Sequence, residues 1–115
     1  MFSVCACISR FMTIRTDNPE RDKKIIIENF MEELCRRDDE NNKGLSIDSR
    51  GDPIVFPVEE IREKYLRTFE IEYVKKVLRE YILENSDNEP LEFLDNERNI
   101  RLTDAGRARC HEYGL

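Results

Sequence analysis

Apolar side chains recur every three to four residues at Ile26, Ile27, Phe30, Met31 and Leu34, the period of a helix that buries one face. Asn18 or Asp17 can cap that helix, Pro19 suits its first turn, and Arg36 and Arg37 stand where a helix C-terminus favours cations. The Ile25-Ile26-Ile27 run has strand propensity, but helical spacing on both sides outweighs it. From Asn41 to Pro57 the texture changes. Leu45 and Ile47, then Ile54 and Phe56, flank a Ser-Arg-Gly-Asp turn, which predicts a small hairpin or an extended strand.

Two further helical patterns follow. Val58, Ile61, Tyr65 and Leu66 share a face after Pro57; Ile71, Val74, Leu78, Tyr81 and Ile82 share another. Only a few residues near Thr68 and Phe69 separate them, the spacing of a helix-turn-helix pair. Leu91 to Leu94 and Asn99 to Leu102 then read as two short strands around a polar Asp-Asn-Glu-Arg turn. Thr103 follows at once and is a good N-cap, and Gly106 lets the first turn of a closing helix lie close to the rest of the chain. The expected fold class is mainly α with a small β hairpin (α+β), in the order helix, strand, helix, turn, helix, two-stranded hairpin, short C-terminal helix.

At 115 residues the chain is expected to form one domain, residues 17–115, preceded by an arm at 1–16. The first dozen residues, MFSVCACISRFM, have no basic residue before their apolar run, so they fit neither a secretory signal nor a membrane span. Cys5, Cys7, Cys35 and Cys110 are irregularly spaced, which predicts reduced thiols in a cytoplasmic protein, with Cys35 and Cys110 as small core residues. Cys5, Cys7, Cys110 and His111 are donor types that suit zinc, but without paired Cys-x-x-Cys knuckles and with one histidine no metal site is expected, nor any cofactor. Arg50-Gly51-Asp52 reads as a turn. No phosphate-cradling glycine loop, nucleophile elbow or His-Glu-x-x-His stretch is visible, so catalysis is not expected.

With that element order, and with Leu102-Thr103-Asp104-Ala105-Gly106-Arg107 closing the hairpin, the chain resembles the winged helix-turn-helix family over about Pro19 to Tyr113. The resemblance implies a transcriptional regulator that acts through duplex DNA, with the second helix of the pair in the major groove and the wing on phosphates. Carried over by position, it implies DNA contacts from Lys75, Lys76 and Arg79 on the helix and from Arg98 and Arg101 on the wing. Dimerisation would double those contacts.

Charge departs from the family pattern. The formal net charge is -6 and the pI about 4.9, a field that repels phosphate. Glu72 and Glu80 share the face of Arg79, and Asp87, Glu89, Glu92, Asp95 and Glu97 crowd the wing. Tyr73 and Leu83, outward on the helical wheel, suit a protein-facing surface better than a phosphate-facing one. The alternative reading is therefore an acidic module of the same fold that binds a protein partner or forms a homodimer without DNA.

Overall fold

The structure, a computed structural model, describes residues 19–46 and 49–113. The expected arm at 1–16 lies outside the described residues. The elements are α1 (Pro19–Asn41), β1 (Phe56–Pro57), α2 (Val58–Tyr65), α3 (Ile71–Glu84), β2 (Leu91–Leu94), β3 (Asn99–Leu102) and α4 (Asp104–Ala108), followed by a 3-10 turn at Cys110–Tyr113. Among the described residues this is an α+β architecture of four helices and one antiparallel sheet of three strands in the order β1-β3-β2.

The predicted apolar faces make the core, except that Tyr65, expected inward, is 41% exposed at the last residue of α2. Ile26, Phe30, Met31 and Leu34 of α1 meet Val58 and Ile61 of α2, Val74 and Leu78 of α3, and Leu91, Ile100 and Leu102 of the hairpin, all buried. The turn between α2 and α3 is tied by Phe69 N–H donating to Leu66 O at 3.0 Å and by Arg62 Nη1 donating to Phe69 O at 2.9 Å. Both hairpin strands have the predicted bounds, with Glu92 opposite Arg101 and Phe93 opposite Ile100.

One expectation about the first half is corrected. Arg36 and Arg37 do not end α1, which runs on to Asn41 with no basic residue in its last turn. They serve instead as side-chain ties: Arg36 donates to Glu33 at 2.7 Å and to Glu40 at 2.8 Å, and Arg37 donates to Glu33 and, at 3.2 Å, to Glu60 of α2. Arg37 also lies over the Phe56 ring, 4.7 Å from its centroid, so α1, β1 and α2 meet at one guanidinium. Of the two alternatives between α1 and α2 the extended strand is present, and the described residues hold no hairpin there. Leu45 is exposed, and only Phe56 and Pro57 extend, pairing with Ile100 and Asn99.

The cysteine expectation is also corrected. Cys35 and Cys110 form a disulfide that joins the middle of α1 to the 3-10 turn, with Cα atoms 5.6 Å apart. Cys35 is buried as expected, but its partner across 75 residues of sequence is another thiol that folding alone brings near.

Glu33 is 5% exposed on α1, and burial by itself raises a carboxyl pKa. Hydrogen bonds from Arg36, Arg37 and Tyr65 outweigh that and hold Glu33 below its ordinary value. A carboxylate lowered in this way stabilises the fold above its unfolded pKa of about 4.3 and loses that contribution as pH falls through the folded value. Glu33→Gln is thus expected to flatten the acid limb of the stability profile, read as urea midpoints between pH 7 and pH 3. A limb parallel to that of the wild type would remove Glu33 from acid unfolding.

Candidate functional site

The hairpin folds back beside α3, and between them opens a groove of about 540 Å³ lined by residues that include Pro57, Ile71, Lys75, Asp95, Arg98 and Asn99. Its walls follow from three local facts. Ile71 begins α3 directly after the turn that Arg62 ties, so the first turn of the helix faces the sheet. Val58 N–H donates to Arg98 O at 2.9 Å, which fixes the base of the hairpin loop against the start of α2. Asn99 of β3 donates to the Asp95 carboxylate at 2.5 Å, closing the loop across itself.

The five basic residues expected at a DNA face divide into three groups. Lys75 and Arg98, from α3 and from the loop, share the groove, and neither side chain has a hydrogen-bonded or ion-paired partner among the described residues. Arg79 and Arg101 are both occupied. Arg79 donates from Nε and Nη2 to the two Glu97 oxygens at 2.8 and 2.6 Å, and Arg101 Nε donates to Glu92 at 2.8 Å across the β2–β3 pair. Lys76 lies apart, exposed above a separate hollow formed with Pro19, Glu20, Lys23 and Tyr73.

Glu59 and Asp95 line the groove, Glu97 belongs to the same hairpin loop as Asp95, and all three carboxylates accept hydrogen bonds. Glu59 accepts from Arg62 Nε at 2.9 Å and Nη2 at 2.5 Å, and that hydrogen bond is the main reason its pKa is lowered. Glu97 is lowered chiefly by Arg79, while Arg79 is raised by Glu97. Lys75 adds a smaller attraction that lowers both Glu59 and Glu97. The Lys75 ammonium and the Arg98 guanidinium thus border a groove whose carboxylates already hold donors. That arrangement suits an anionic ligand with separated oxygens.

Of the two residues expected on a protein-facing surface, Leu83 is 66% exposed near the end of α3. Tyr73 departs from the helical-wheel expectation. It is half-buried, stacks on Phe69 with ring centroids 5.9 Å apart, and its hydroxyl donates to Asp22 Oδ2 at 3.3 Å. The α1 N-terminus crosses the start of α3 there, and no wheel drawn on one helix can anticipate the neighbour.

Sequence reading also missed Glu97, taken only as one of several acids near the wing. Its signal was present in a hairpin loop of Asp-Asn-Glu-Arg with no glycine. Among the described residues no group of three or more His, Cys, Asp or Glu is placed to hold a metal ion, and no helix is long and apolar enough to cross a membrane. Comparison with protein-family models, with curated proteins and with solved structures finds no match to the chain.

Proposed function

We propose that the chain is a winged-helix module of DNA-binding type, acting in transcription control, with α3 presented to duplex DNA and the β2–β3 hairpin as its wing. The element order and the β1-β3-β2 sheet support this reading. The observation that carries it is the groove: Lys75 from the helix and Arg98 from the hairpin loop border the same space, and among the described residues neither side chain is hydrogen-bonded or ion-paired, which suits two phosphate contacts. The acidic remainder of the surface keeps non-specific affinity low.

Fluorescence anisotropy against a pool of mixed-sequence duplexes, from low to physiological salt, tests it. Lys75→Ala and Arg98→Ala are each expected to weaken binding about equally across sequences and to reduce the slope of log affinity against log salt by about 0.9. Unchanged curves would remove both residues from the site. The second reading is protein recognition or self-association, favoured by the exposure of Leu83 on the same helix. Absence of DNA binding at low salt, together with a self-association that Leu83→Glu abolishes in sedimentation, would move the assignment there.

A further inference from the structure

The hairpin loop holds three successive non-glycine residues in the left-handed backbone region, Asp95, Asn96 and Glu97, at φ +52°, +57° and +68°. Asp and Asn visit this region readily because their short polar side chains bond locally, whereas Glu does not. Arg98 N–H donates to Asp95 O at 3.1 Å, so Asn96 and Glu97 are the two central residues of the turn. With φ positive at both, the turn is of the primed kind that matches strand twist and that favours Asn-Gly. Glu97 stands where glycine fits at least cost.

What the chain gains there is a carboxylate that meets both Nε and Nη2 of Arg79. This two-point contact is the one a guanidinium makes to a phosphate or to the O6/N7 edge of guanine. Arg79 sits in the middle of the exposed face of α3, where the proposed DNA contact falls. Its ligand position is therefore filled by a residue of the wing. Both partners remain solvated, at 46% and 30% exposure, so the pair is weak enough for a well-placed ligand to displace.

We infer that Glu97 is a specificity-determining latch: it occupies Arg79 as an intramolecular competitor, so that scattered phosphates fail to engage the arginine and only a duplex offering a bidentate contact releases it. The inference rests on the DNA-binding reading above and names its discriminating element.

The test is a double-mutant cycle on binding to random-sequence duplexes at fixed salt. Glu97→Gln is expected to tighten that binding roughly two- to fivefold, the range an exposed ion pair supports. Glu97→Gly, which also relaxes the turn, is expected to move in the same direction. In an Arg79→Ala background both gains should vanish, because the competitor no longer has a target. A gain that persists without Arg79 would show only the loss of a repelling charge, and it would overturn the latch while leaving DNA binding standing. So would wild-type binding that neither variant changes. If neither the wild type nor Glu97→Gln binds any duplex at low salt, the DNA-binding reading falls and the latch falls with it.

Discussion

Arg107→Met is expected to cost about 3 kcal/mol of folding stability, the low end for breaking a buried ion pair, because it takes the two-point partner from a buried carboxylate and leaves it only Arg50 and Asn42. Asp38 lies on the face of α1 that carries Leu34 and Cys35, one turn further on, and its side chain is only 3% exposed. Arg107 of α4, 5% exposed, donates to it twice, from Nε to Oδ2 at 3.0 Å and from Nη2 to Oδ1 at 2.8 Å. Arg50 Nη1 adds a bond to Oδ2 at 2.9 Å, and Asn42 Nδ2 one to Oδ1 at 3.2 Å. Without Arg107 the charge keeps one guanidinium at the edge of the site and one weak amide contact.

Since a domain of this size is stable by only about 5 to 15 kcal/mol, the variant should be unfolded or close to it at modest urea. The loss should be largest with a thiol reductant present, because the Cys35–Cys110 disulfide otherwise keeps the two segments together. Asp38→Leu combined with Arg107→Met is expected to recover most of the loss, since apolar groups of similar volume need no partner. Urea midpoints of the three proteins give the answer. A cost under about 1 kcal/mol for Arg107→Met would mean that water reaches Asp38 and solvates it.

The second large effect is at Gly106, where two principles disagree in sign. Gly106 lies within α4, so helix propensity alone favours alanine by about 1 kcal/mol. A Cβ built there meets Pro90 O at 2.0 Å and Pro90 C and Leu102 Cδ2 at 3.0 Å. The oxygen belongs to backbone that already accepts Thr103 N–H at 3.1 Å, so it cannot rotate away as a side chain would. Overpacking of this kind costs about 1 to 3 kcal/mol, and the backbone position of the clash puts Gly106→Ala at the upper end. Sterics therefore win. The thermal midpoint should fall by roughly 4 to 8 °C for each kcal/mol lost. A rise instead would show that the hairpin base yields and that propensity governs.

Both residues sit in the stretch where sequence and fold agree best. Thr103 caps α4 as its hydroxyl predicts: Oγ1 accepts from Gly106 N–H at 3.1 Å and donates to Glu89 O. The bounds of both hairpin strands, the short spacing between α2 and α3 and the inward faces of α1, α2 and α3, Tyr65 excepted, were legible for a similar reason. Each depends on residues within a turn or two of one another, where periodicity and capping act directly. Gly106 was legible as a close approach, although the identity of what approaches, Pro90 O, was not.

Local sequence by itself determined the order and type of the elements and which face of each is apolar. Tertiary structure alone decided the pairings between segments far apart in the chain, because side-chain chemistry names what can pair and not what will be near. Asp38 with Arg107 spans 69 residues, Cys35 with Cys110 spans 75, and Tyr73 with Asp22 spans 51. The site divides the same way. That Lys75, Arg79, Arg98 and Arg101 lie on a helix and a hairpin could be read from spacing, but which remain open to a ligand is set by where the folded hairpin places Glu92 and Glu97. Charge attraction in water is only about 1 kcal/mol at 4 Å and is screened beyond about 10 Å, so only the folded distances select among so many carboxylates.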